Sequence, residues 1–285
     1  MKPHGVQLNT VADLLGAATA ELQELDTARL DAEVLLGMVL EVGREYCYAH
    51  AEAQVPAAAA ADFWRLITRR RDGFPVAYLT GRREFWSLDL TVNQFTLIPR
   101  PETEQLVEVT LDLTRPHHAP ELLELGTGSG AVSLALARER PDARITATDL
   151  CRHALDLAQH NAVRFGIGNV SFMVSDWYAA LGARRFDVIL SNPPYVDEQC
   201  PALWQTPLRH EPRLALDGGR GGLEGVSRII AGARRHLRAD AYLLLEHGFD
   251  QGESVRRLLR QQGFTEVETR LDAGGQERIS SGRWQ

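Results

Sequence analysis

The residues with the clearest chemical meaning form the segment Ser191–Tyr195, which reads Ser-Asn-Pro-Pro-Tyr and follows the apolar run Phe186–Leu190. An amide or aryl-type nitrogen is a poor nucleophile because its lone pair is delocalised, so a site that acts on it needs acceptors aimed at its two N–H bonds. The Asn192 side-chain oxygen and the Pro193 carbonyl are such acceptors. The two prolines stiffen the loop, and the Tyr195 ring can pack against a flat group. The segment predicts a site for a planar nitrogen.

A glycine-rich segment earlier in the chain predicts a binding site for an adenosine-type cofactor. Residues 124–130 read Glu-Leu-Gly-Thr-Gly-Ser-Gly and lie between a predicted strand and a predicted helix. Glycines there permit a tight turn, and the amino end of the helix offers free N–H groups. Asp149 ends the next predicted strand, where a carboxylate can accept hydrogen bonds from ribose hydroxyls. The loop residues expected to contact the cofactor are Gly126, Thr127, Gly128, Ser129 and Gly130.

The glycine loop alone leaves more than one cofactor open. Gly126, Gly128 and Ala131 fit the dinucleotide pattern, whereas Gly126, Gly128 and Gly130 fit the looser pattern of S-adenosylmethionine-dependent methyltransferases. A nucleoside triphosphate is disfavoured because no Gly-Lys-Ser/Thr follows. The purely structural alternatives are a glycine loop that only packs and a Pro-Pro turn after a strand. The combination with residues 192–195 favours transfer of a methyl group to a planar nitrogen.

The order of predicted elements indicates two structural parts joined by a linker. Residues 1–74 have helical periodicity, with Asn9-Thr10 as a helix cap, and contain no catalytic constellation, so a small helical bundle for recognition is expected. Residues 75–99 predict a linking β-hairpin. Residues 100–285 alternate strands and helices, which predicts an α/β fold: a doubly wound, mostly parallel sheet of the Rossmann-like class I methyltransferase type.

Apolar patterns of strand and helix type follow one another closely in the sheet domain and give its predicted elements. The predicted strands are Leu122–Leu125, Arg144–Thr148, Val170–Val174, Phe186–Ser191, Ala241–Glu246, Phe264–Thr269 and Arg278–Ser281. The predicted helices are Ala131–Arg138, Ala154–Phe165, Gly222–Leu237 and Gln251–Gln262. Two further glycine segments, Asp217–Gly222 and Gly274–Gln276, are predicted to be a surface loop and a turn between the last two strands.

Composition excludes several classes of protein. A net charge of −7 over 285 residues argues against an electrostatic grip on nucleic acid. The three cysteines, Cys47, Cys151 and Cys200, fit neither a disulfide framework nor metal-ligand spacing, so no metal is expected. No signal peptide is recognisable, and no apolar run approaches the roughly 20 residues that span a bilayer. We expect a cytoplasmic protein without membrane contact.

The chain resembles the HemK-type glutamine methyltransferases that modify bacterial peptide chain release factors. The likeness extends over nearly the whole chain, and the run Ile98–Thr103 is its most diagnostic part because unrelated methyltransferases do not carry it. Besides the glycine loop, it is carried by Pro75–Gly81, Glu84-Phe85, Ile98–Glu104, Ser175–Trp177, Asn192–Tyr195, Glu211-Pro212, Glu246–Gly248 and the Asp272, Arg278, Gly282-Arg283 stretch.

The resemblance implies S-adenosylmethionine as the cofactor and assigns its contacts. Gly126–Gly130 would hold the methionine end and Asp149 the ribose. Trp177 would lie near the adenine, which suits a flat apolar side chain. Asn192 would lie beside both the cofactor and the substrate.

The resemblance also implies the substrate, which is the glutamine of the Gly-Gly-Gln loop of a release factor. Asn192–Tyr195 would bind its side-chain amide, and Arg100 and Glu102 would help order the site. The helical bundle would contact the release factor, and the enzyme would act as a monomer. The residues expected to be catalytic are Asn192, Pro193 and Tyr195, with Pro194 also contacting the substrate.

Three other functions are compatible with parts of the sequence. A sister enzyme with the same loop could methylate a ribosomal-protein glutamine, and enzymes that methylate an adenine amine in DNA share the Asn-Pro-Pro-aromatic motif. The acidic charge, the lack of a target-recognition domain and the run Ile98–Thr103 argue against the DNA substrate. A non-catalytic module that retains the cofactor fold is disfavoured because Gly126–Gly130, Asp149 and Asn192–Tyr195 are all intact.

Overall fold

The amino-terminal part of the chain folds into helices around its own core. The computed structural model describes residues 10–204 and 208–285 and divides into two compact units, Met1–Gly81 and Arg82–Gln285. The core of the first unit contains Leu14, Leu35 and Phe63, which are all fully buried. The helices of this unit are α1 (Val11–Glu21), α2 (Ala28–Leu40), α3 (Arg44–Ala49), α4 (Ala57–Arg71) and α5 (Val76–Thr80).

Helix α1 begins at a capping box. The Thr10 hydroxyl accepts a hydrogen bond from the Asp13 amide (3.1 Å), and the Asp13 carboxylate accepts one from the Thr10 amide (3.3 Å). Two amide donors that the helix cannot satisfy internally are thereby paired. Thr10 is thus the cap, and Asn9, the other predicted cap residue, lies outside the described residues.

The hairpin between the two parts is shorter than predicted. Strand β1 (Arg82–Phe85) pairs antiparallel with β2 (Leu88–Thr91), so only part of residues 75–99 is a hairpin. Residues 76–80 instead form helix α5, because Pro75 supplies a compatible φ of −60° at the amino end and Gly81 ends the helix at a φ of +72°. One helical turn is too short for its periodicity to stand out in a sequence.

The second unit is built on one seven-stranded sheet in the order β5-β4-β3-β6-β7-β9-β8. The five strands β3 to β7 run parallel, and β9 is inserted antiparallel between β7 and β8. The predicted Rossmann-like, mostly parallel architecture is confirmed. The strands are β3 (Glu121–Leu125), β4 (Arg144–Asp149), β5 (Val170–Val174), β6 (Phe186–Ser191), β7 (Leu237–Glu246), β8 (Thr265–Leu271) and β9 (Glu277–Arg283).

Helices cover both faces of this sheet. Successive side chains of a strand point to opposite faces; Leu122 of β3 packs in one buried cluster with Leu134, while Leu123 packs in another with Ile229. The helices are α6 (Glu104–Thr114), α7 (Ala131–Glu139), α8 (Arg152–Arg164), α9 (Glu224–Ala233) and α10 (Gly252–Gln261). The prediction gave no bounds for helix α6.

The Gly274–Gln276 segment forms the predicted turn between the last two strands. The Asp272 Oδ1 atom accepts hydrogen bonds from the amides of Gly274 and Gln276, each at 2.9 Å. The Asp272 amide donates to the Gln276 carbonyl at 2.8 Å, and Arg278 pairs with Asp272 Oδ2 at 3.1 Å. The turn is therefore fixed from both of its ends.

Among the helices of residues 10–204 and 208–285, none has the length and apolar character needed to cross a bilayer.

Candidate active site

The predicted site residues converge at the carboxyl edge of the parallel sheet. Strand β3 lies between β4 and β6, and the chain leaves these three strands at Gly126, Asp149 and Asn192. All three residues line one cavity of about 380 Å³. This is the place where strand order reverses direction, and open α/β sheets bind ligands at such a crevice.

Most, but not all, of the predicted site residues reach the cavity wall. Those that line it are Gly126, Thr127, Gly128, Ser129, Asp149, Trp177, Asn192 and Pro194. Gly130, Pro193, Tyr195, Arg100 and Glu102 do not line it.

Gly130 has a packing role. It precedes α7 with a φ of +84°, and a Cβ atom there would lie 3.1 Å from the Ala158 Cβ and 3.2 Å from Leu134 Cδ1. Glycine lets α7 approach α8 closely while the turn remains tight. The start of the loop is also held in place. The amides of Gly126 and Thr127 both donate hydrogen bonds to the Thr148 carbonyl, at 2.8 and 2.9 Å.

Asp149 is held rigidly at the end of β4. Its Oδ2 accepts a hydrogen bond from the Gly128 amide at 2.9 Å, and its Oδ1 accepts one from the Cys151 amide at 2.8 Å. Burial raises the pKa of this carboxyl, and the backbone donors oppose the rise. Each oxygen retains a lone pair for a further donor, as a pair of ribose hydroxyls requires.

A buried carboxyl that the sequence analysis did not single out lies under the glycine loop. Glu124 is 3% exposed and accepts hydrogen bonds from the Thr127 hydroxyl (2.7 Å), the Ser133 amide (3.1 Å) and the Ser133 hydroxyl. Burial raises its pKa to about 7, against the effect of these donors. Its signal in the sequence is an acidic residue within the apolar strand β3.

An aromatic side chain forms another part of the wall. Trp177 has a φ of +50°, and its carbonyl accepts a hydrogen bond from the Ser175 hydroxyl at 2.7 Å. Leu150, which is 53% exposed, also lines the cavity. Flat and apolar surfaces beside the fixed Asp149 carboxylate fit the base and ribose of an adenosine-type cofactor.

The Asn-Pro-Pro-Tyr loop is anchored at several side chains. The Ser191 hydroxyl donates to the Leu125 carbonyl at 2.6 Å, and Asn192 Nδ2 donates to Thr103 Oγ1 at 3.1 Å. The Tyr195 side chain does not line the cavity, and its hydroxyl donates to Glu246 Oε1 at 3.3 Å. Tyr195 therefore supports the loop from behind, whereas the sequence led us to expect its ring against the substrate.

The second glycine segment braces the same loop. The Gly218 amide donates to the Val196 carbonyl at 2.8 Å, and a Cβ at Gly218 would lie 2.7 Å from the Pro194 carbonyl oxygen. The Gln251 side chain donates to the Tyr195 carbonyl at 2.9 Å. The prediction of a surface loop for Asp217–Gly222 holds for Arg220 and Gly221, which are exposed. It is wrong for Gly218 and Gly222, which are buried against the Asn-Pro-Pro-Tyr backbone.

The run Ile98–Thr103 is tied down by another buried acid. Glu211 is 5% exposed; its Oε2 accepts a hydrogen bond from the Ile98 amide at 3.1 Å, and its Oε1 pairs with Arg100. Arg100 thus anchors the run that ends in Thr103, while Glu102 is exposed. Glu211 gave a sequence signal only as part of the Glu-Pro pair at 211–212.

Glu246, at the end of β7, is a further buried acid to which the sequence analysis gave no role. It is 1% exposed, and burial raises its pKa to about 7, while Thr103, Arg278 and Tyr195 oppose that rise. Burial likewise raises the pKa of Tyr195 far above its usual value, so its hydroxyl stays protonated at neutral pH. The Glu246 carboxyl group therefore accepts a hydrogen bond from Tyr195, and the Thr103 hydroxyl favours its ionised form.

Comparison with known proteins agrees with this geometry. Residues 13–81 match the family described as PrmC N-terminal domain, and residues 103–220 match the family described as Methyltransferase small domain. The solved structure of a methyltransferase from Pyrococcus furiosus covers 78% of this chain and 98% of its own, with a TM-score of 0.53. Its 19% identity shows a shared fold.

Two curated relatives are similar over almost their full lengths. A release factor glutamine methyltransferase from Salmonella typhimurium is 46% identical over 270 residues, which cover 95% of this chain and 97% of the relative. One from Pseudomonas aeruginosa is 45% identical over 277 residues, covering 97% and 99%. The cavity residues fit S-adenosylmethionine, the cofactor of this methyltransferase fold. The chain therefore belongs to the release factor glutamine methyltransferase family.

Proposed function

We propose that this protein transfers the methyl group of S-adenosylmethionine to the side-chain amide nitrogen of the glutamine in the Gly-Gly-Gln loop of peptide chain release factors. The observation that carries the proposal is the placement of Asn192 on the wall of the same cavity as Asp149 and the glycine loop. Its Nδ2 atom is engaged by Thr103, which turns the other end of the amide, the oxygen, toward a ligand.

The loop residues orient the substrate nitrogen. The Asn192 side-chain oxygen accepts one of its N–H bonds at the cavity wall. Pro193, which does not itself line the cavity, offers its carbonyl to the other, so that the lone pair points toward the cofactor side. Bound S-adenosylmethionine would supply the methyl group as an electrophile: its sulfur–methyl bond would break as the carbon–nitrogen bond forms, and the sulfur would leave as a neutral thioether. Orientation of this kind contributes roughly 7–11 kcal/mol to lowering a barrier, so positioning by Asn192 and Pro193 supplies the rate without a covalent enzyme intermediate.

The proton balance requires no strong base. The amide nitrogen loses one proton for the methyl group it gains, and that proton becomes acidic only after the carbon–nitrogen bond has formed. Until then, the acceptors at Asn192 and Pro193 hold both N–H bonds in place. A weak acceptor such as water is sufficient for the late proton loss.

The cofactor contacts divide between two strand ends. Asp149 accepts the ribose hydroxyls, and the loop residues Gly126, Thr127, Gly128 and Ser129 hold the methionine end. Trp177 stacks near the adenine. Gly130 supports the loop through α7 without contacting the cofactor.

The first unit binds the release factor. Its match to the PrmC N-terminal domain and its lack of a catalytic constellation support this division, with residues 1–74 as the recognition part, residues 75–99 as the linker and residues 100–285 as the transferase. The net charge of −7 supports a protein substrate over nucleic acid. We expect a monomer that acts in the cytoplasm on newly made release factors.

One transfer assay tests the substrate. The protein is offered labelled S-adenosylmethionine with purified release factor, with release factor carrying Gly-Gly-Ala in the loop, with ribosomal protein and with DNA. We expect label on the first alone. Equal labelling of the Gly-Gly-Ala variant, or preferential labelling of ribosomal protein or DNA, would contradict the proposal.

A second measurement tests the role of Asn192. Asn192→Ala should reduce transfer by at least roughly 100-fold, because misplacement of a reacting group has effects of this size. The affinity for S-adenosylmethionine should change little, since Asp149 and the glycine loop are untouched. A parallel loss of cofactor affinity would show that Asn192 belongs to the cofactor site.

A further inference from the structure

Two buried side chains behind Asn192 have been assigned no contact with substrate or cofactor. Thr103 is 5% exposed and lies where the run Ile98–Thr103 enters α6; Glu246 is 1% exposed and ends β7. Thr103 lines the active-site cavity together with Asn192, while Glu246 lies behind it. The three side chains therefore form a row that leads from the sheet to the cavity.

The hydrogen bonds along this row have a direction. Asn192 Nδ2 donates to Thr103 Oγ1 at 3.1 Å. The Thr103 hydroxyl is also one of the groups that lower the pKa of Glu246 and so favour its carboxylate form, and the Tyr195 hydroxyl donates to Glu246 Oε1 at 3.3 Å. Within the described part of the chain, Glu246 Oε2 has no well-formed hydrogen bond, so this carboxylate has acceptor capacity to spare.

The number of hydrogens that each group can donate sets the direction of the hydrogen bonds along this row. An ionised carboxylate only accepts hydrogen bonds, and a threonine hydroxyl has one hydrogen to donate. If Thr103 gives its hydrogen to Glu246, it can offer Asn192 only a lone pair. The side-chain amide of Asn192 must then place its NH₂ group toward Thr103 and its oxygen toward the cavity. The reverse orientation would place NH₂ against the substrate amide, which needs acceptors.

We propose that Glu246 and Thr103 are positioning residues that set the orientation of the Asn192 side-chain amide, and thereby make its oxygen the acceptor for the substrate nitrogen. The effect passes from Glu246 through the Thr103 hydroxyl to Asn192. Neither Glu246 nor Thr103 needs to touch the reacting atoms. The inference rests on the proposed function for the identity of the acceptor nitrogen, but the orientation itself is a property of the free protein.

Two substitutions of Thr103 separate orientation from packing. Thr103→Val keeps the shape and removes the hydroxyl, so kcat should fall roughly 10- to 100-fold, as expected for a misoriented reacting group. The KM for release factor and the affinity for S-adenosylmethionine should change less than about 3-fold, as expected for loss of orientation alone. Thr103→Ser keeps the hydroxyl and should retain most of the activity. An unchanged kcat in Thr103→Val, or equal losses in both variants, would overturn the proposal.

A matched control comes from helix α6, which Thr103 immediately precedes. Thr110 is fully buried in α6, but its hydroxyl donates to the Leu106 carbonyl at 2.7 Å. Thr110→Val removes a comparable buried hydroxyl outside the row and should leave kcat unchanged. In addition, Thr103→Val should have no further effect in an Asn192→Ala background, because the interaction acts through Asn192. Additive losses would contradict this route.

A spectroscopic test does not depend on the substrate. In ¹⁵N-labelled protein, the Asn192 side-chain amide is the signal that disappears in Asn192→Ala. Its hydrogen bond to Thr103 should slow hydrogen exchange with water in the wild type and in Thr103→Ser, and this protection should be lost in Thr103→Val. Protection that survives in Thr103→Val would refute the proposal. If the wild type failed to label release factor while this pattern held, the proposed function would fail and the orientation would stand.

Discussion

Gly222 lies directly against the Tyr195 carbonyl oxygen, so that a Cβ atom at position 222 would be only 2.1 Å from it. The same carbonyl accepts a hydrogen bond from Gln251 at 2.9 Å. Backbone atoms cannot move aside as a flexible side-chain end can. The glycine at 222 thus determines how closely the segment Asp217–Gly222 packs on the loop that carries Asn192.

The first prediction tests this close approach. Gly222→Ala should displace the Asn192–Tyr195 loop and lower transfer by at least roughly 100-fold. Gly221→Ala is the matched control, because Gly221 also has a positive φ (67° against 70°) but has no atom within 4 Å of its added Cβ. Both variants carry similar backbone strain, so comparable loss of activity in Gly221→Ala would show that strain, not contact with Tyr195, is the cause.

The second prediction concerns cofactor affinity. Asp149→Asn replaces one acceptor oxygen by an NH₂ group that must face the Gly128 or Cys151 amide or a ribose hydroxyl. Loss of one such charge-assisted hydrogen bond corresponds to roughly 10- to 100-fold weaker binding of S-adenosylmethionine, measurable by titration calorimetry. Asp156→Asn, an exposed residue paired with Arg152, should bind normally. Tight binding by Asp149→Asn would exclude Asp149 from the cofactor site.

The third prediction is an acidic limb in the pH dependence of kcat. Burial raises the pKa of Glu246 to about 7; Thr103, Tyr195, Arg278 and Glu102 are the polar and charged groups that act on it. As the pH falls through 7, the carboxyl gains a proton and ceases to be a pure acceptor for the two hydroxyls, so kcat should fall. Glu246→Gln should show a lower and flatter profile. An acidic limb of unchanged shape in Glu246→Gln would assign the titration to another group.

The fourth prediction links Glu124 to stability. Its pKa is about 7 in the folded protein, above the ordinary 4.5, so between these values the folded state binds the extra proton. The free energy of unfolding should therefore decrease as the pH rises from 4.5 to 7, by up to roughly 3 kcal/mol from this group. Urea unfolding at pH 5 and pH 8 measures the difference.

Glu124→Gln isolates that contribution. The variant cannot titrate, so its pH-dependent loss should be smaller than that of the wild type. The comparison is needed because burial lowers the pKa of His247, which acts in the opposite direction below its ordinary value of 6.5. An identical pH dependence in wild type and variant would mean that Glu124 titrates in its ordinary range.

The sheet and the edge that carries the site could be predicted because their signals are local. Val170–Val174 and Phe186–Ser191 have the predicted bounds, since each is a short run rich in apolar and β-branched residues between turns. The glycine loop, Asp149 and Asn192 each follow a strand, and parallel strands bring their carboxyl ends together. Their shared cavity follows from that order.

The bounds of helix α6 could not be predicted because its local pattern points the other way. Residues 107–113 read Val-Glu-Val-Thr-Leu-Asp-Leu, an alternation with β-branched residues that is typical of a strand. In the structure Leu106, Val109 and Thr110 are buried at helical spacing against the sheet. Tertiary packing decides the conformation of such a segment.

The residues around Asn192 were missed for a different reason. Thr103 and Glu246 are far from Asn192 along the chain and meet only when α6 and β7 pack beside β6. A lone threonine and an acid after an apolar run carry no spacing that identifies them. The contacts of Gly218 and Gly222 with the Asn-Pro-Pro-Tyr loop are equally non-local. For this reason the sequence of Asp217–Gly222 is typical of an exposed loop, although these two glycines are buried.

The turn at Gly274–Gln276 has the sequence of the proposed substrate tripeptide. A tethered copy that could reach the cavity would be present at a millimolar effective concentration and would compete with every release factor that the enzyme meets. The hydrogen bonds that the Gly274 and Gln276 amides donate to Asp272, and the one that the Asp272 amide donates to the Gln276 carbonyl, keep this copy folded back on itself between β8 and β9. Its backbone polar groups are engaged within the turn and are not free for a binding partner.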